Sequence, residues 1–194
     1  MTHPPRIAVL ASYNASAFQK MMAIQDAQGC ALFAPAVVIC NNSRSGVLDF
    51  ASAKGISSVI INAARFEDVD AALLACLHEH RADLVLLVGY MKKLGPKVLA
   101  AYQGRIINVH PALLPNYGGQ GMYGLAPHQA VVAAGEKESG ATAHLVTENY
   151  DEGPILAQIR VALAPDETPE TLQEKVKALE PRAYLQGIAV LQGQ

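Results

Sequence analysis

Asn108 and His110 stand one residue apart at the end of an apolar run, residues 105–109 (RIINV). On an extended backbone both side chains then point to the same side. An amide and an imidazole converging on one spot can hydrogen-bond an oxygen that turns negative during acyl transfer. The imidazole can also move a proton onto or off an attacking amine. A third polar group, Asp151, lies in the turn-rich stretch 148–154 (ENYDEGP). A carboxylate there can orient and charge His110 or relay a proton through water. Plainer readings stand beside these: an Asn-x-His pair at a strand end can cap or anchor a loop, and an Asp before Glu-Gly can simply make a turn.

Such residues need a scaffold, and the first half of the chain supplies one. Residues 6–11 (RIAVLA), 36–40 (AVVIC), 58–61 (SVII), 84–88 (LVLLV) and 105–109 are continuous apolar runs, as expected for strands buried on both faces. Helical stretches alternate with them. Residues 16–28 offer Phe18, Met21, Met22 and Ile24 as an apolar face, with Gly29 as a stop. Residues 47–53 form a short helix ended by Gly55. Residues 66–80 space Val69, Ala72, Leu73, Cys76 and Leu77 along one side, and residues 96–102 make another short helix. This alternation predicts βαβ units, an α/β class and a mostly parallel twisted sheet with helices on both faces. In such sheets ligands sit beyond the carboxyl ends of the strands, where Asn108 and His110 fall.

The pattern changes after His110. Residues 111–127 hold three prolines and four glycines and read as a loop of about 17 residues, long enough to be functional. A short helix, 128–134, follows. Residues 141–146 and 155–163 read as strands that pair antiparallel, giving the C-terminal portion an antiparallel character. Thr168 caps the last helix, with Pro169 at its first position and Glu170 suited to the helix dipole. No repeat or linker divides residues 1–194, so one domain is expected.

Composition narrows the function classes. The chain is 51% hydrophobic and 16% charged, with a net charge of −2, an ordinary globular balance with no basic footprint for nucleic acid. No apolar run approaches the ~18 residues of a membrane span. Cys30, Cys40 and Cys76 are too scattered for a CxxC-type metal site, and no metal is expected. Their odd number, with an opening that lacks a signal-peptide layout, points to the cytoplasm.

Two stretches, residues 107–115 (INVHPALLP) and 140–154 (GATAHLVTENYDEGP), closely resemble the folate-dependent formyltransferase family. The resemblance runs along nearly the whole chain, through residues 82–104 (ADLVLLVGYMKKLGPKVLAAYQG) to Glu180 in the final helix. The members that formylate glycinamide ribonucleotide are nearest in length and order. What it implies is a Rossmann-like formyltransferase fold and an enzyme of de novo purine biosynthesis. Its formyl donor would be 10-formyltetrahydrofolate as co-substrate and its acceptor the amine of glycinamide ribonucleotide or a related phosphorylated amine. Its partners would be these small molecules, with no nucleic acid or membrane, and the protein would be a monomer or homodimer. By the same resemblance Asn108 and a protonated His110 stabilise the tetrahedral oxyanion, and Asp151 holds His110 and helps proton transfer. The folate would lie against Met91, Lys92, Lys93 and Leu94, against Asn108, and against the Asp loop at Val146, Thr147 and Asp151. Met91 and Leu94 can equally be read as core residues. His128 and Glu180 match positions near the acceptor, although a solvated helix-surface His and Glu would look the same.

The resemblance departs at one place. The glycinamide ribonucleotide enzymes carry a Gly-Asn-Gly-Ser-Asn type loop whose backbone N–H groups cradle the substrate phosphate, a sound anion site. Here Ser12 is followed by Tyr13-Asn14-Ala15-Ser16-Ala17, so both glycines are replaced. Asn14 and Ser16 remain to bind an anion; alternatively this is a plain strand-to-helix turn with Ser16 as N-cap. The run 140–154 is as similar to formyltetrahydrofolate deformylase, which releases formate and needs no phosphate site. That leaves a hydrolase, or a folate-binding protein without activity, as alternatives.

Overall fold

The computed structural model describes residues 3–193. The chain packs as two compact units, Met1–Ile106 and Ile107–Gln194.

The first unit alternates β1 (Arg6–Ala11), α1 (Ser16–Gln28), β2 (Ala34–Cys40), α2 (Gly46–Ala53), β3 (Ser58–Ile60), α3 (Val69–Glu79), β4 (Leu84–Leu87) and α4 (Pro96–Ala101). Its strands lie in the order β3-β2-β1-β4 with every neighbour parallel, as the alternation predicts. Ile7 to Ala11 and Val37 to Cys40 are wholly buried, which is why these runs are apolar without alternation. Phe18 of α1 is buried too and meets Phe50 of α2 edge-on at 5.9 Å.

Two helix starts differ from the sequence reading. Helix α3 begins at Val69, three residues later than expected, because the Asp68 carboxylate accepts the Ala71 N–H and caps it there. Helix α1 begins at Ser16, but Ser16 is not the N-cap. That position is Ala15, left-handed at φ 47°, with no side-chain cap. The loop keeps the backbone form that glycine favours without a glycine. Asp70 of α3 accepts the N–H groups of Lys97 and Val98 and so caps α4 from outside. A Cβ on Gly95 would sit 2.2 Å from the Asp70 Cγ, so only glycine permits this clasp, which fixes the end of the β4–α4 connection.

The second unit carries β5 (Ile106–His110, its first residue contributed by the first unit), α5 (Ala126–Ala133), β6 (Glu138–Leu145), β7 (Ile155–Ala162) and α6 (Pro169–Gln192). β5, β6 and β7 pair antiparallel in that order. Strand β6 starts three residues earlier than its apolar run suggests. Gly140 allows this: a Cβ there would lie 2.0 Å from the Ile159 carbonyl oxygen of β7. Helix α5 starts at Ala126, with Pro127 tolerated in its first turn. Helix α6 opens on Thr168 as expected, and Leu172, Val176, Ala183 and Ile188 bury its inner face. Tyr184 is buried as well and hydrogen-bonds the backbone of Val109, the residue between Asn108 and His110.

Candidate active site

Antiparallel pairing of β5 with β6 sets His144 directly opposite Asn108, and Thr142 opposite His110. The Asn108 Nδ2 and the His144 Nε2 are 3.3 Å apart. Asp151, in the turn after β6, reaches both histidines: Oδ2 lies 3.3 Å from His110 Nδ1 and Oδ1 lies 3.4 Å from His144 Nε2. The three residues singled out from the sequence therefore do meet, and a fourth, His144, stands among them. Among the described residues no group of three or more His, Cys, Asp or Glu is arranged to hold a metal ion.

The long loop completes the cluster. The Tyr117 carbonyl faces His110 Nε2 at 2.7 Å, and the Gly119 N–H donates to Asp151 Oδ2 at 2.9 Å. A carbonyl only accepts, so His110 carries a proton on Nε2. Gly118 lets the loop come this close, since a Cβ there would lie 2.5 Å from Leu114 Cδ2 and 3.2 Å from Asp151 Cβ. Tyr117 and Asp151 are both left-handed, at φ 58° and 59°, a conformation costing a non-glycine residue roughly 1–2 kcal/mol. Contacts on every side hold them in it. The Tyr117 hydroxyl donates to Glu136 at 2.6 Å. Behind the loop, the buried Thr142 hydroxyl donates to the Ala112 carbonyl at 2.6 Å and accepts the Leu114 N–H at 3.1 Å. The Gln158 amide bonds Leu114 O at 2.8 Å.

Burial moves the titrating groups. It lowers the pKa of His110, opposed by the Asp151 charge and the Tyr117 carbonyl and reinforced by His144; the net direction is down. A protonated His110, expected from the resemblance, is thus disfavoured by its own burial. Burial pushes the Asp151 carboxyl up, but hydrogen bonds from His144 and Gly119 and the charges of both histidines outweigh it and leave Asp151 acidic. His128, expected as a possible solvated helix residue, is instead 1% exposed. Its Nδ1 has no hydrogen-bond partner, and burial, helped by Lys177 and His110, holds its pKa down at about 4.

This geometry suits moving a proton beside a carbonyl centre. A family model described as Formyl transferase matches residues 5–188. The chain belongs to that family. It is 34% identical to the chloroplastic phosphoribosylglycinamide formyltransferase of Arabidopsis thaliana, over 98% of this chain and 67% of that protein. It is also 34% identical to phosphoribosylglycinamide formyltransferase of Bacillus subtilis (strain 168), over 97% of this chain and 95% of that one. The crystal structure of glycinamide ribonucleotide transformylase 1 from Symbiobacterium toebii matches with a TM-score of 0.86 at 32% identity, over 97% of this chain and 87% of that one. The chain spans about half, 51%, of the length of the Vigna unguiculata chloroplastic relative.

The remaining positions of this formyl transferase fall as follows. In the first unit the Ser12 hydroxyl accepts the Met91 N–H at 2.8 Å, so the loop after β1 and the segment after β4 touch. Met91 is half exposed at 47%, while Leu94 packs into the core; Lys92 and Lys93 are exposed. Tyr13 points out to solvent, and the Asn14 side chain fills the space that a Cβ on Gly46 would take, 2.8 Å away. In the second unit Val146 is half-buried and Thr147 exposed, its hydroxyl donating to Asn149 O at 3.2 Å. Glu180 on α6 is half-buried and near Tyr184. The sequence reading did not single out His144, the Tyr117 carbonyl or the Gly119 N–H. One signal for His144 was present: Thr142 and His144 alternate on one strand face, and an antiparallel partner bearing Asn108 and His110 places them opposite.

Proposed function

We propose that this chain transfers the formyl group of 10-formyltetrahydrofolate to the amine of glycinamide ribonucleotide, a step of purine synthesis, with residues 1–194 acting as one catalytic domain. The observation that carries the reading is the Asn108–His110–Asp151 cluster, with one amide donor beside a histidine–carboxylate pair. The acceptor nitrogen adds to the formyl carbon, and Asn108 stabilises the oxygen as it becomes negative. The amine must then lose a proton. His110, with Nε2–H committed to the Tyr117 carbonyl, offers Nδ1 beside the Asp151 carboxylate, so this pair takes that proton and returns it to the folate nitrogen as its bond to carbon breaks. His110 therefore acts as a proton holder, while Asn108 serves the oxyanion.

The folate is assigned to Met91, Lys92, Lys93, Leu94, Asn108, Val146, Thr147 and Asp151. The phosphate is assigned to Ser12–Ser16, supported by the left-handed Ala15 and the uncapped first turn of α1, whose N–H groups suit an anion. His128 and Glu180 are assigned to the acceptor side. No helix among the described residues is long and apolar enough to cross a membrane, and three free cysteines suit a reducing, cytoplasmic setting.

The test is to incubate the chain with 10-formyltetrahydrofolate, with and without glycinamide ribonucleotide. Formylated nucleotide, formed only when the acceptor is present, is expected. Rapid formate release from the cofactor alone would make the protein a hydrolase. Tight folate binding with no turnover would make it a binding protein.

A further inference from the structure

Thr142 stands on β6 directly opposite His110 and is wholly buried. Its hydroxyl has one proton and two lone pairs, and all three are engaged. The proton goes to the Ala112 carbonyl at 2.6 Å. The oxygen accepts the Leu114 N–H at 3.1 Å and the Gln158 amide N–H at 3.0 Å. The Gln158 nitrogen also donates to the Leu114 carbonyl at 2.8 Å. That carbonyl can only accept, so the hydrogen-bond network fixes the Gln158 amide with its nitrogen inward; reversed, it would set oxygen against oxygen. Ala112 and Leu114 are themselves buried, where backbone polar groups are costly unless paired. One side chain from β6 and one from β7 pair them.

We propose that Thr142 and Gln158 are positioning residues: they pin the first turn of the long loop, so that the loop sets the Tyr117 carbonyl on His110 and the Gly119 N–H on Asp151. The inference rests on the formyl-transfer reading above. Leu114, the pinned residue, comes shortly before Tyr117 and Gly119, whose contacts with the site are 2.7 Å and 2.9 Å long. Each residue of free chain reaches ~3.3–3.6 Å, whereas a hydrogen bond is lost by about 3.5 Å. A loop released at Leu114 could therefore carry the Tyr117 carbonyl well clear of the imidazole. The other tether on this stretch, from the Tyr117 hydroxyl to Glu136, is exposed and competes with water. With the carbonyl in place, the His110 ring cannot turn, and Nδ1 stays on the Asp151 carboxylate. Thr142 and Gln158 thus act on the reaction through the loop and His110.

The test uses the full 15N-labelled chain and the variant Gln158→Leu, altered at a half-buried position. Amide hydrogen exchange should quicken at least roughly tenfold at Gly119, while the β6 amides of residues 141–143 stay within about twofold of the wild type. Unchanged exchange at Gly119, or an equal rise along β6, would overturn the proposal. Kinetics give the second arm. Gln158→Leu should lower kcat roughly tenfold with the KM for formyl-folate within about twofold, and an unchanged kcat would count against a positioning role. Thr142→Val, which lacks the hydroxyl, should behave alike, and Thr142→Ser, which keeps it, should recover most of the loss. A serine variant as slow as the valine one would mean that only packing matters there. In a His110→Ala background Gln158→Leu should cost little more, because the residue it acts through is gone. Equal losses with and without His110 would make Gln158 a merely structural residue. If the wild-type chain transfers no formyl group, that reading falls by itself, and exchange at Gly119 still decides whether the pair holds the loop.

Discussion

At the residue scale, His110 is the group whose surroundings matter most. Both ring nitrogens face acceptors, a carbonyl at 2.7 Å and a carboxylate at 3.3 Å, and that pairing suits a ring that accepts a proton and releases it again. His110→Ala should lower kcat by a factor of ~10² or more with folate affinity nearly unchanged, since proton transfer acts in the transition state. Single-turnover kinetics and folate titration check this; near wild-type turnover would remove His110 from the chemistry. His128 affects stability instead. Its pKa is held near 4 by burial, while in the unfolded chain it lies at its ordinary 6.5. Between those values the unfolded chain binds a proton that the folded one refuses. Its contribution is therefore present above pH 6.5 and is lost as the pH falls toward 4, on the order of 2–3 kcal/mol across the window. Urea unfolding at pH 7 and pH 4.5 should show a smaller acid loss for His128→Gln than for the wild type. Asn108, His110 and Asp151 were legible as a candidate cluster from type, spacing and the family resemblance, and the structure brings them together. The burial of His128 was not legible, because a histidine in a short helix carries no sign of which side faces inward.

At the element scale, the turn between β6 and β7 ties fold to site. A Cβ on Gly153 would sit 1.8 Å from the Leu145 carbonyl oxygen, and Leu145 N–H bonds Pro154 O at 2.9 Å across the same turn. Gly153→Ala should therefore force the hairpin end apart, destabilise the protein by about 3 kcal/mol, and lower turnover by shifting Asp151. Thermal melting with steady-state kinetics on the same sample would show both effects; a variant as stable and active as the wild type would mean that the turn is plastic. Strand β1 and helix α6 were read to the residue at their starts, because an apolar run and a Thr-Pro-Glu cap are local signals. Helix α3 and strand β6 were displaced by features with no periodicity, the Asp68 cap and the room that Gly140 gives to Ile159.

At the scale of the whole molecule, burial sorts the three cysteines. Cys30 is exposed; Cys40 and Cys76 are buried, and burial pushes the Cys76 thiol up to about 11. A thiol reagent should therefore label one cysteine in the native protein and all three after unfolding, with formyl transfer unaffected by the first label. Mass analysis of the modified chain checks the count, and fast labelling of Cys76 in the native state would contradict the packing. The α/β class, the parallel first unit, the antiparallel end, the family and the three residues proposed for the site were all present in the amino-acid sequence. Those features rest on periodicity and short motifs, which are local. What the tertiary structure alone decided is what surrounds those residues. His144 comes to Asn108 from 36 positions away and Asp151 joins them through a left-handed turn, while the loop brings the Tyr117 carbonyl to His110. Strand register and loop closure depend on contacts between residues far apart in the chain, and these turned a pair of spaced side chains into a site with defined donors and acceptors.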